Sequence, residues 1–137
     1  MEEYHFNLTN NSAELEELQR QLQSVLQATG IRLSIISAIN VALGEWLENI
    51  IQYAYADGGT HRISVDCRIG AAEIVLQITD DGRPFDPCSY PALELRPVSS
   101  QTAQTGRGIH LIRHLVERLE YRRQGTNNVV SLSKVLS

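Results

Sequence analysis

The chain is short of positive charge, of cysteine and of long apolar runs, and each shortage removes a class of function. Twelve Lys and Arg stand against 16 Asp and Glu, for a formal charge of −4. Neutralising nucleic-acid phosphates needs a basic face, so nucleic acid is not expected as a partner. Arg107, Arg113, Arg118, Arg122 and Arg123 form one basic stretch, enough for a small anionic ligand. The two cysteines, Cys67 and Cys88, make neither a CxxC nor a zinc spacing and read as reduced thiols of a cytoplasmic protein. No apolar run reaches the roughly 18 residues of a membrane span, so no membrane association is expected. The opening "MEEYHFNLTN" has no basic n-region and no apolar h-region, and does not read as a signal peptide.

What is present suits one globular domain over residues 1–137, with 42% hydrophobic and 20% charged residues and no internal repeat. Alternation in "YHFNLT" predicts a short strand. Ser12 is placed to cap a helix whose Leu15, Leu18, Leu22, Val25 and Leu26 follow helical spacing, with Gly30 stopping it. A second helix is expected from about Ser34 to Tyr55, its core stripe made by Ile36, Ile39, Leu43, Trp46, Leu47, Ile50 and Ala54. "HRISVDCRI" and "EIVLQIT" alternate apolar and polar residues and are joined by Gly70-Ala71-Ala72, which predicts a hairpin with one wet face. Residues 80–108 hold all four prolines and show no periodicity. A loop this long in a compact domain is usually functional. A third helix follows, with Gly108, Leu111, Ile112, Leu115, Val116 and Leu119 on one face, and "LEYRR" and "VVSLSKVL" close the chain as a hairpin. Helices covering one face of a mixed, mostly antiparallel sheet make an α+β two-layer sandwich.

Three short stretches could carry chemistry. In "EWLENIIQYAY", Glu45 and Asn49 stand at i and i+4, roughly 6 Å apart on the flank of the core stripe. A carboxylate there can act as a general base, and an amide oxygen can ligate a hard cation such as Mg²⁺. In "ITDDGRPFDP", a strand ends on Asp80, and Gly82 follows. A carboxylate there can accept from an exocyclic amine, and glycine lets a flat ring approach the backbone. In "QTGRGIHLI", Gly106 and Gly108 flank Arg107 at an expected helix start, where free amides and the helix dipole favour phosphate. The bland alternatives are solvated helix surface, a plain turn and a helix hinge. His110 and His114 share the i, i+4 spacing of zinc ligands, but "HLIRH" lacks the glutamate of HExxH and lies on a polar face, so no metal site is read there. Trp46 reads as core or dimer surface.

Taken in order, "EWLENIIQYAY", "DDGRPFDP" and "TGRGIHLIRHLVERLEY" resemble the GHKL-type ATPases of the Bergerat fold over nearly the whole chain, and within them the bacterial anti-sigma factor serine kinases. The resemblance implies Glu45 as general base towards a substrate serine, Asn49 as Mg²⁺ ligand, Asp80 on the adenine amino group with Gly82 beside the ring, and Gly106 and Gly108 around the phosphates of ATP. It implies Arg107 near those phosphates and a lid over approximately residues 87–105. It further implies a STAS-type anti-sigma antagonist as substrate, a sigma factor as second partner and a homodimer. Relatives commonly carry His four residues after the Asn, where this chain has Tyr53, and Tyr is not cationic near neutral pH. Two other readings are an ATP-binding interaction module without phosphotransfer and the catalytic half of a two-component histidine kinase. For the latter the chain offers no phosphoacceptor helical domain.

Overall fold

A computed structural model describes residues 2–89 and 101–137, with side chains over 2–88 and 108–137. The first strand, β1 (Glu2–Thr9), leads into α1 (Ser12–Ala28). The helix is capped by Asn11 rather than Ser12: its Oδ1 accepts from the amides of Ala13 at 2.8 Å and Glu14 at 3.4 Å, satisfying donors the first turn leaves free. The chain leaves α1 through Gly30 at φ +81, a conformation that favours glycine. Then come α2 (Leu33–Asn49), a π-turn (Ile50–Ala54), β2 (Arg62–Ile69), β3 (Glu73–Asp80), a 3₁₀ turn (Pro87–Ser89), α3 (Gln101–Leu115), β4 (Arg118–Gln124) and β5 (Asn127–Val135).

The five strands form one sheet in the order β1-β2-β3-β5-β4, and every neighbouring pair is antiparallel, so the expectation of a partly mixed sheet is corrected. Alternation along each strand sorts the residues. Tyr4, Phe6 and Leu8, then Ile63, Val65 and Cys67, then Ile74, Leu76 and Ile78 turn towards the helices and join their leucines and isoleucines in one core. The opposite face carries exposed cross-strand pairs, Arg68 to Glu3 at 3.2 Å and Arg118 to Glu73 at 3.6 Å, which contribute little stability and keep that face wet. Both cysteines are free thiols; burial pushes Cys67 up to about 11.

Three element expectations change. The second helix does not run evenly to Tyr55 but widens to the π-turn directly after Asn49. The third begins at Gln101, ahead of the two glycines, and ends at Leu115, so Leu119 belongs to β4. Its buried face is Gly108, Ile109 and Ile112, continued by Val116 directly after the helix, whereas Leu111 is 39% exposed, because an i, i+4 line from Gly108 passes through 112 and misses 111. Most of the expected lid, 90–100, lies outside the described residues. Its first residues are held by Arg113 of α3, whose Nη2 donates to the carbonyls of Pro87 at 2.6 Å and Cys88 at 3.1 Å.

Candidate active site

Asp80 is the last residue of β3 and faces inward, 3% exposed. The antiparallel register sets Asn128 of β5 directly opposite it. One oxygen of Asp80, Oδ1, accepts from the Gly82 amide at 2.9 Å and from Asn128 Nδ2 at 3.0 Å. The same amide group donates to the carbonyl of Arg83 at 2.9 Å and makes a longer shared contact to that of Gly82 at 3.3 Å. The other side of Asn128 is also occupied: Oδ1 accepts from the Tyr121 hydroxyl at 2.7 Å and from Arg123 Nη1 at 3.1 Å. Arg123 Nη1 donates again to the Gly82 carbonyl at 2.9 Å. Among the described residues, Oδ2 of Asp80 takes no hydrogen bond, so a buried carboxylate offers one unspent acceptor. Burial pushes its pKa above the ordinary carboxylate range. The bonds from Asn128 and Gly82 and the charge of Arg123 oppose that rise, while Asp81 adds to it.

Gly82 is required by its neighbours. A Cβ there would stand 2.6 Å from the Cβ of Ala54 and 2.7 Å from its carbonyl oxygen. The turn presses against the end of the π-turn, and the Arg83 amide donates to the Ala54 carbonyl at 3.0 Å. Outside this contact, the Tyr55 hydroxyl donates to Asp81 at 3.0 Å, and its ring stacks on His61 at 3.9 Å. Burial and the nearby Asp80 and Asp81 push the Tyr55 phenol well above its ordinary value, so it stays a donor. Trp46, 2% exposed, stacks on Phe85 at 5.9 Å and so ties the segment after Gly82 to α2. That settles Trp46 as core.

The second cluster lies earlier on the same helix. Glu45 and Asn49 are half-buried, neither sealed nor fully solvated. Gly108 of α3 is buried against them: its Cβ would lie 3.1 Å from Glu45 Oε2 and 3.6 Å from Asn49 Nδ2. The structure thus brings Glu45, Asn49 and Gly108 together. The π-turn joins this cluster to the first, because i→i+5 bonding places Ala54 nearly below Asn49, where ordinary α spacing would carry it well round the axis. The same change takes Tyr53 off the line that Glu45 and Asn49 would otherwise continue.

Gly106 and Arg107 lie within α3, with their side-chain positions outside the described residues. Since α3 starts at Gln101, Gly106 and Gly108 are past the first turn, and their amides belong to the helix ladder rather than to a free helix start. In this structure Gly108 supplies close approach beside Glu45, not an open amide. Asn128, Arg123 and Tyr121 were not anticipated; "QGTNN" reads as a turn. Counting back in twos from Leu132 and Val130 would have found Asn128 on the core face, a polar residue in an apolar phase.

A family model described as a histidine kinase-like ATPase domain matches residues 8–134. The chain belongs to this ATPase family, and its sheet and helices have the α+β architecture expected from the motifs. The serine/threonine-protein kinase BtrW of Bordetella bronchiseptica is 29% identical over 96 residues, covering 69% of this chain and 68% of BtrW. The serine-protein kinase RsbW of Halalkalibacterium halodurans is 25% identical over 120 residues, covering 84% of this chain and 72% of RsbW. Among solved structures, the RsbU and RsbW domains of a Mycobacterium tuberculosis protein overlay 98% of this chain with a TM-score of 0.70 at 17% identity. This chain spans 33% of that one. The SiaB–SiaC complex of Pseudomonas aeruginosa overlays 96% of this chain and 89% of its own, with a TM-score of 0.62 at 19% identity. These overlays establish the fold.

Proposed function

We propose that the protein is a cytoplasmic, ATP-dependent serine protein kinase of a partner-switching system, phosphorylating a STAS-type anti-sigma antagonist and sequestering a sigma factor, as a homodimer. The observation that carries this reading is the meeting of Glu45 and Asn49 of α2 with Gly108 of α3, where α2 runs on into the π-turn that presses Ala54 against Gly82. Asp80 receives the adenine amino group on Oδ2, with Gly82 beside the ring. Gly106, Arg107 and Gly108 border the phosphates, beneath a lid over 87–105. Asn49 would hold Mg²⁺ through its amide oxygen, and the ion would neutralise phosphate charge there. Glu45 takes the proton of the substrate serine as the serine oxygen bonds the γ-phosphorus and the bond to the departing ADP oxygen breaks. The family match, and the names of the two kinases to which the chain is similar, support phosphotransfer as the activity.

The test is incubation with labelled ATP, Mg²⁺ and a STAS protein encoded beside this one. Label reaching the STAS protein from wild type, and not from Glu45→Ala, is the expected result. ATP binding without transfer to any STAS candidate would leave an ATP-binding interaction module instead. Unchanged ATP affinity in Asp80→Asn would show that the adenine pocket lies elsewhere.

A further inference from the structure

The polar group behind Asp80 does more than fill space. Asn128 is 3% exposed, and both ends of its amide are occupied, by partners from two separate segments, 80–83 and β4. Arg123 is largely exposed along its length, yet its Nη1 reaches inward to both Asn128 Oδ1 and the Gly82 carbonyl. A turn could be held by Asn128 alone. The added cation is linked to Asp80 through Asn128, whose amide bonds Oδ1 and not Oδ2.

We propose that Asn128 and Arg123 are positioning residues that set base specificity: they hold Asp80 as an ionised carboxylate with Oδ1 engaged, so that Oδ2 is an acceptor only, selecting 6-aminopurine nucleotides over 6-oxopurine ones. The inference rests on Asp80 being the adenine contact. The chemistry is a matter of donor and acceptor. An exocyclic amine donates to an ionised carboxylate, whereas a 6-oxo group presents a lone pair to it and is repelled. A protonated Asp80 reverses this, because its O–H can donate to the 6-oxo oxygen. The side chain is buried enough for protonation to compete, and the donors from Asn128 and Gly82 with the Arg123 charge oppose it. The other charged or titratable groups facing Asp80 are Asp81 beside it, Tyr55 after the π-turn and Tyr121 on β4.

Calorimetric titration of the full chain with ATP and with inosine triphosphate, which carries a 6-oxo group and an N1–H in place of the 6-amine and the bare N1, tests this across acid to neutral pH. Wild type is expected to favour ATP by about tenfold or more near neutral pH, the scale of a hydrogen bond to a charged group made against one refused. Arg123→Gln should narrow that preference at least about threefold. It should also move the pH at which ATP affinity falls upward, with inosine triphosphate gaining where ATP loses; Arg123→Lys should restore both. Asn128→Leu should do the same more strongly. Arg123→Gln, on an exposed side chain, keeps the test available where Asn128→Leu does not fold. Equal weakening of both nucleotides with an unmoved pH profile would overturn the proposal, leaving a merely structural role. Wild type that binds neither nucleotide sinks the nucleotide-site reading, and this proposal with it. Wild type that binds ATP without preferring it over inosine triphosphate sinks this proposal alone.

Discussion

The two ends of the site are built on opposite plans. At the Asp80 end, an antiparallel register sets Asp80 against Asn128, and a chain of bonds through Arg123 and Tyr121 occupies nearly every donor and acceptor before any ligand arrives. At the Glu45 end, two half-buried side chains on one helix face a glycine, and no side-chain bond between them and the rest of the described residues defines their positions. The first end is ordered by folding itself; the second is left without such bonds among the described residues. A buried polar network that is fully satisfied specifies a structure, and the same network half-satisfied is a liability.

The contrast can be broken most sharply from its loose end. Glu45→Ala should lower phosphotransfer about 10²- to 10⁴-fold, the usual worth of a positioned base, while thermal unfolding moves by little, since the side chain anchors nothing. At the rigid end the balance inverts. Asn128→Ala should cost about 3 kcal/mol of stability in a denaturant titration, because it removes one of the two bonds to Asp80 Oδ1 and takes the partner from the Arg83 carbonyl and the Tyr121 hydroxyl. If both variants lose activity and keep stability alike, the two ends do not differ as described.

Much of this architecture can be read in the chain before any coordinate is known, and the parts that cannot share a cause. The strands announce themselves by alternation and the first two helices by their leucines and isoleucines, since these patterns reflect which face meets the core. Asp80 and Gly82 stand out because a strand ending in Asp-x-Gly is a local pattern. The π-turn is different: "IIQYA" has ordinary helical composition, and its widening shows only in the tertiary contact of Ala54 with Gly82 and Arg83. Likewise, "QTAQT" lacks apolar periodicity, so the true start of α3 at Gln101 is hidden. Asn128 sits among turn formers, and its role depends on a partner 48 residues away in the chain.

Two glycines measure the contrast more finely. Gly82→Ala places a methyl against backbone and should cost about 1–3 kcal/mol, read from the unfolding midpoint. Gly108→Ala meets the end of the flexible Glu45 side chain instead, so it should cost under about 1 kcal/mol, yet lower transfer by displacing that carboxylate. Equal losses of stability in the two would erase the distinction between a packed end and an open one.

The smallest effect is in acid. Since folding raises the Asp80 pKa above the 3.8 of a free aspartate, the native state binds that proton more readily than the unfolded chain does. The contribution of Asp80 to stability therefore grows as pH falls through its folded pKa towards 3.8, while ATP affinity falls over the same range because the acceptor is lost. Denaturant midpoints of wild type against Asp80→Asn across that window should show the first trend. A relative stability that declines on acidification would contradict it.

The helix that carries Glu45 and Asn49 also governs what lengths of chain the site will accept. With a π-turn between Asn49 and Ala54, one surplus residue has been absorbed into the winding itself rather than looped out. Deleting a single residue from 50–54 would let that stretch relax into regular α-helix. It would nonetheless swing Ala54 away from Gly82 and unseat the Arg83 amide from its carbonyl, parting the two clusters. This region is therefore constrained in residue count as well as at its packed side chains, Ile50 and Ala54, a constraint on spelling length added to the one on spelling.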